Sequence, residues 1–464
     1  MKLRDLMAGV PSEGGNLNLE LEINSISTEA EDDLKGSAFV EMPGSGLTGK
    51  QAMDRGAVAV IPGGKDPWKT LGVMAGNWFC HPARNMTLIC VAGDGDSELV
   101  VHLMRTMLER MPHTRVGVIT PDGIRFRNVD LPRGRWRDSC VHLQAVLRRM
   151  ADERCTHVII QLDRTGMERR LYSGLRLSVT ALTGPVGSRE ELSGLLKSSD
   201  TVVRNLDEKD WEDYADIIPE HTFTYSENKT CADLTAKNLR LYPGHMEFEA
   251  VAVGHVQRIH LPVPGGFSLY HGLCVLSCGL CLGLAWERMA RVLRCVRGPR
   301  GQLEVLSVPA AYTVVLDRAD CPQSLEKLLT CAREFTAGQL VCVLGCSEQG
   351  TAAFRIGMGS VAEQLSDRVV LTGSDLTRHG RTDIINDVRA GMGAWQRPCV
   401  VETDRSKAVR CALEQAGPGD VIVFAGPMDE PGGEMPRPDE REFIRSCICA
   451  HHRILKEKRI PAGR

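Results

Sequence analysis

A chain of 464 residues with 43% hydrophobic and 25% charged side chains is long enough for about three domains and has the balance of a folded globular protein. Its net charge of −3 supplies no general attraction to nucleic acid or to an anionic membrane surface. The longest mostly apolar run, Gly272 to Trp286, is shorter than the roughly 20 residues of a membrane span and reads as one buried helix. No signal-peptide core follows Met1-Lys2-Leu3-Arg4-Asp5, so a cytoplasmic location is expected.

In chain order, the apolar stretches around Ile23, Phe39 to Gly44 and Gly56 to Ile61 predict strands, with a short helix from Gln51 that stops at Gly56. A glycine just past a helix end is the usual C-cap. These elements suggest a first small α/β domain over residues 1–81.

A second domain is expected over 82–303. It alternates a strand at Leu88 to Val91, a helix from 98 to 111, a strand at Val116 to Ile119, a helix around 140–151 and a strand at His157 to Leu162. Such alternation predicts a parallel sheet covered on both faces. Between the first strand and the first helix lies Gly93-Asp94-Gly95-Asp96-Ser97-Glu98. A glycine-containing turn between strand and helix aims free backbone N–H groups at a phosphate. A phosphate loop ends in Gly-Lys-Ser/Thr, and here Asp96-Ser97-Glu98 stand instead, placing carboxylates where a cation should clamp the phosphates. The turn is equally compatible with an ordinary strand-turn-helix unit.

The third domain, 304–464, repeats the alternation with strands at Tyr312 to Leu316, Leu340 to Leu344, Arg368 to Leu371 and Val421 to Ala425. The 17 cysteines are scattered through apparent helices and strands, which predicts free thiols. Cys274, Cys278 and Cys281 share one helix face; they can be metal ligands or buried core residues. Cys447, Cys449, His451 and His452 lack a second pair at finger-like spacing, which favours a C-terminal helix over a zinc site.

The order of several segments resembles the Mur ligase family, in particular its MurE type, which adds the third amino acid to UDP-MurNAc-dipeptide in peptidoglycan synthesis. The segments are Phe39 to Gly44, Ala232 to Asn238, Gly266 to Tyr270, Asp317 to Pro322, Val343 to Cys346, Asp375 to Arg378, Asp404-Arg405 and Gly419 to Gly426. The resemblance implies a three-domain α/β architecture with a central phosphate-loop-like domain and a Rossmann-like C-terminal domain. It also implies ATP and magnesium as the family's cofactors.

Carried across residue by residue, the family's TGTNGKTT loop falls on Ala92 to Leu99, so Ser97 stands at the ATP-contacting lysine. Gln161 falls at the magnesium-binding glutamate and Arg189 at a magnesium-site histidine, while Lys197 is the nearest counterpart of the carbamylated lysine. The uridine-contacting Ser-Arg pair falls near Ala30-Glu31. Substrate positions are represented by Arg355, by Asp375 and Arg378 of the family's DNPR motif, and by Glu430; an arginine holding a carboxylate and acids holding an amine suit an amino-acid ligand.

These substitutions predict a non-catalytic binding or regulatory pseudoenzyme with neither metal nor cofactor, whose partner is an active Mur ligase or a cell-wall precursor. The alternative is an ATP-dependent amide ligase with a rearranged site, charge coming from Lys50, Lys197 or Arg189.

Overall fold

A computed structural model of the chain describes all residues except 11–16, 31, 94–96, 133, 253, 297, 299–300, 347–350, 374–381, 394–397, 427–438 and 460–464, with backbone alone at 135 and 451–459. The protein is α/β, and three sheets organise the described residues. The first contains β1 (Ser25–Ser27), β2 (Ser37–Val40) and β3 (Ala59–Ile61), all parallel. Every residue of the middle strand β2 is buried, as expected of a parallel strand covered on both faces. The helix Gly49–Asp54 starts with a reciprocal Thr48/Gln51 capping box and gives way to Gly56 at φ +106°, the left-handed stop that only glycine adopts freely.

The second sheet contains β4 (Thr87–Ala92), β5 (Val116–Thr120), β6 (Gly123–Phe126), β7 (Val129–Pro132), β8 (His157–Leu162), β9 (Val179–Leu182), β10 (Val202–Asn205), β11 (Thr222–Ser226), β12 (Leu234–Tyr242), β13 (His245–Ala252) and β14 (His255–Leu261). Their order is β14-β13-β12-β11-β10-β9-β4-β8-β5-β6-β7. β4 lies between β8 and β9, parallel to both, and Leu88 through Ala92 are wholly buried. Leu88, Cys90, Ile160, Leu182, Leu143 and Leu147 belong to the core on one side of it. The helix Ser97–Glu109 buries Leu99, Val100, Leu103, Met104, Met107 and Leu108, the i, i+3, i+4 stripe of an amphipathic helix.

The third sheet runs β15-β16-β20-β17-β18-β19, from β15 (Glu304–Leu306), β16 (Thr313–Asp317), β17 (Leu340–Gly345), β18 (Arg368–Thr372), β19 (Cys399–Val401) and β20 (Val421–Ala425). All pairs are parallel except β15 with β16.

By internal packing the chain forms two compact units. One comprises 1–237, 250–257 and 271–292; the other comprises 238–249, 258–270 and 293–464. Each predicted strand has a counterpart, but the one expected around Ile23 lies at Ser25–Ser27 and the one expected over Phe39 to Gly44 ends at Val40. The apolar run Gly272 to Trp286 forms the expected buried helix only as far as Cys281, within Ser268–Cys281, and its last residue, Trp286, opens a second helix, Trp286–Leu293. Gly283, at φ +72°, separates them by taking a conformation no helix interior tolerates. Cys274 and Cys278 are wholly buried thiols, and Cys447 and Cys449 lie on the helix Glu440–Arg459, as the simpler readings have it. No described helix is long and apolar enough to cross a membrane.

Candidate functional site

The ends of β4, β8 and β9 meet at Gly93. Its N–H donates to the Leu162 carbonyl at 3.5 Å, and the Thr183 N–H donates to the Ala92 carbonyl at 2.9 Å. A Cβ on residue 93 would stand 2.1 Å from Thr183 Oγ1 and 3.0 Å from the Gly184 nitrogen, so glycine is required by this close approach. Asp94, Gly95 and Asp96 lie outside the described residues.

Ser97, the first residue of the following helix, is 0% exposed. Its hydroxyl donates to the Gly93 carbonyl at 2.9 Å and lies 3.4 Å from the Thr183 hydroxyl. The side chain that the resemblance aligns with a phosphate-reaching lysine is thus folded back into the turn and closed to solvent. Glu98 occupies the first helical turn, where a carboxylate is stabilised by the helix dipole and opposes a second anion.

Glu98 and Gln161 line one cleft of about 320 Å³, together with His102, Arg105, Asp122 and Arg125. Arg105 pairs with Glu109 at 2.7 Å and Arg125 with Asp130 at 2.8 Å. The nearby Asp163 is engaged as well: it caps the helix Arg164–Glu168 by accepting the Gly166 N–H at 2.9 Å and pairs with the buried Arg137, whose charge needs that partner.

Arg189 does not line this cleft. It opens the helix Arg189–Lys197 behind a Ser188/Glu191 capping box, donates to the Asp213 carbonyl at 2.7 Å and pairs with Asp216. The Arg189 hydrogen bond holds the Asp216 carboxyl below the usual carboxylate range. Lys197 is exposed at the far end of the same helix, about 12 Å of helical rise from Arg189, where a cation favours the C-terminal dipole. At Ser97, Glu98 and Gln161 the chain differs from what the resemblance implies for a magnesium-bound triphosphate. These three offer an inward hydroxyl, a carboxylate and a neutral amide where the group needs a cation beside the phosphates and a carboxylate on the metal.

In the third sheet's domain, Arg355 on the helix Ala352–Leu365 donates to Asp387 of the helix Thr382–Gly391 through Nε at 2.9 Å and a terminal nitrogen at 2.8 Å. It serves as a clamp between two helices. Asp375, Arg378 and Glu430 lie outside the described residues, as does Glu31.

Three of the segments that carry the resemblance, Asp317 to Pro322, Val343 to Cys346 and Gly419 to Gly426, meet at the ends of β16, β17 and β20, a juxtaposition that the sequence alone did not give. At the end of β16 both oxygens of Asp317 accept backbone N–H groups, from Leu303 and Ala319, each at 2.8 Å. Burial outweighs these bonds and pushes the carboxyl up to about 6. Gly426, at φ +120°, donates to the Asp317 carbonyl at 3.1 Å, and a Cβ there would stand 2.0 Å from the Gly345 carbonyl oxygen. Carboxyl ends of adjacent parallel strands are where open α/β sheets present ligand crevices. The available signal was a strand ending in Asp317 and another followed by Gly426.

Residues 301–428 match the family model described as Mur ligase, glutamate ligase domain. The chain is 26% identical to UDP-N-acetylmuramoyl-L-alanyl-D-glutamate--2,6-diaminopimelate ligase 2 of Clostridium acetobutylicum over 97% of this chain and 100% of that protein. It is 27% identical to the corresponding ligase of Synechococcus elongatus over 92% and 94% of the two chains. A solved structure of a UDP-N-acetylmuramoyl-L-alanyl-D-glutamate--2,6-diaminopimelate ligase shares the fold with a TM-score of 0.72, at 20% identity over 97% of this chain and 99% of that one. Residues 301–428 thus match the Mur ligase glutamate ligase domain, and similarity runs through nearly the whole of both chains with the fold in common, so that along its length the chain resembles the Mur ligases of the diaminopimelate-adding type.

Proposed function

We propose that this protein is a MurE-like component of peptidoglycan precursor synthesis that binds or regulates without catalysing ligation. The observation that carries the reading is Ser97, fully buried and bonded to the Gly93 carbonyl, at the position aligned with the family's phosphate-contacting lysine. Ligation through an acyl phosphate requires the γ-phosphate charge to be neutralised in the transition state, and preorganised charges of this kind are worth several kcal/mol. Glu98 and Gln161 supply no such charge. In this reading Gly93 and Ser97 join β4 to the following helix and hold no nucleotide.

The partner in this reading is a cell-wall precursor or an active Mur ligase. The domain limits are taken at residues 81 and 303, with amino-acid recognition in the third domain assigned to Arg355, which pairs with Asp387, and to Asp375, Arg378 and Glu430. The competing reading, an active ATP-dependent ligase, draws on relatives named as ligases along nearly their whole length.

Equilibrium dialysis of the purified chain against magnesium-ATP, and separately against UDP-MurNAc-dipeptide, distinguishes the two. The expected result is no magnesium-ATP binding in the micromolar range and, in parallel calorimetric titrations with diaminopimelate, lysine and UDP-MurNAc-dipeptide, binding that weakens in Arg378→Ala. Micromolar magnesium-ATP binding overturns the non-catalytic reading. Binding of these ligands that is absent, or indifferent to the substitution, removes the proposed recognition site.

A further inference from the structure

The strands β13 and β14 carry a cluster that the family's chemistry does not use. Along β13 the buried and half-buried positions alternate: Met246 and Phe248 are 0% and 1% exposed, while His245 and Glu247 between them are half-buried on the opposite face. A two-residue period puts His245 and Glu247 on one face. On β14, Ile259 and Leu261 are buried while Arg258 and His260 point to the other side.

The rings of His245 and His260 stack with centroids 4.6 Å apart, and Tyr242 stacks on the outer face of His245 at the same separation. Glu247 Oε1 lies 3.4 Å from His260 Nδ1. One ligand-type atom from each of His245, Glu247 and His260 falls within 4.8 Å of the other two.

From these placements we propose that His245, Glu247 and His260 form a binding site for one divalent transition-metal ion of the zinc type, with a fourth position open to water. A tetrahedral zinc ion with bonds of about 2.1 Å separates its ligand atoms by about 3.4 Å, so the Glu247–His260 edge already has the required length. The remaining edges close by rotation of the His245 side chain, without backbone movement. Two imidazoles and one carboxylate select a borderline metal such as zinc over calcium or magnesium, which take all-oxygen sets. The second carboxylate oxygen of Glu247 is held by Arg258 at 2.6 Å, the outer contact that orients a metal-ligating carboxylate. Because the ligands come from two neighbouring strands, a bound ion fastens β13 to β14.

The test uses the full-length chain, freed of metal with a chelator and titrated with zinc chloride against a chromophoric competitor, alongside His260→Ala and Glu247→Gln. The residues are half-exposed, and circular dichroism confirms that the variants keep the fold. The expected result is one zinc equivalent whose affinity falls at least 100-fold in His260→Ala and about tenfold in Glu247→Gln. Cobalt in place of zinc then gives the visible bands of a four-coordinate ion without thiolate charge transfer, which separates this site from the chain's 17 cysteines. Absence of zinc binding, affinity unchanged in His260→Ala, or a thiolate band accounting for the bound cobalt overturns the proposal.

Discussion

Asp317 shows how one side chain can be held in conflict. Two backbone N–H donors favour its carboxylate, yet burial outweighs them and lifts its titration from 3.8 to about 6. Between those values the folded protein binds the proton more tightly than the unfolded chain does. The contribution of this group to stability is therefore complete below about pH 3.8 and is lost as pH rises through 6. Relative to Asp317→Asn, which cannot titrate, the wild-type protein should lose roughly 2 kcal/mol of stability across that window, allowing for partial solvent access. Urea unfolding at intervals from pH 4 to 7 checks this; a difference that is flat or rises with pH excludes the assignment. Asp317 could be found in the sequence as a strand end, but its environment could not, because the donors Leu303 and Ala319 are fixed by the chain's return through β15.

At the scale of elements, continuous apolar runs such as Leu88 to Val91 and Val421 to Ala425 announced buried parallel strands, since both faces must be apolar. β12, β13 and β14 were not legible in the same way. Half of their residues are polar and face outward, and the His245/Glu247/His260 cluster appears only when two neighbouring strands are aligned. The apolar run at Gly272 gave a buried helix but not its end, because composition reports burial, whereas the left-handed turn at Gly283 decides where a helix ends.

The turn before the helix Ser97–Glu109 permits a direct trial of the lost-site reading. A helix N-terminus directs backbone N–H groups toward an anion. The triple change Asp96→Gly, Ser97→Lys and Glu98→Thr should accordingly produce measurable ATP binding by dialysis without ligation, because Gln161 and Arg189 remain as they are. Full ligase activity from these three changes would show that Gln161 and Arg189 are no obstacle to catalysis.

For the whole molecule, the two compact units each contain extensive apolar cores of their own, one around Leu88, Ile160 and Leu182 and one around Val315, Leu344 and Val423. Separate cores favour separate melting, because cooperativity requires shared buried contacts. Scanning calorimetry should therefore give a total enthalpy larger than the van't Hoff value of its main transition, and equality of the two would mean that the units unfold as one.

The order of the third sheet also bears on how the protein is made. β20 lies between β16 and β17 and pairs with both, although it is translated after β17, β18, β19 and the helices among them. On the ribosome, β16 and β17 wait side by side with an unfilled gap, their inner edges open to any other extended chain. Arrival of Val421–Ala425 closes that gap, so a pause in synthesis before this strand emerges should leave the sheet in two halves with strand edges open to aggregation.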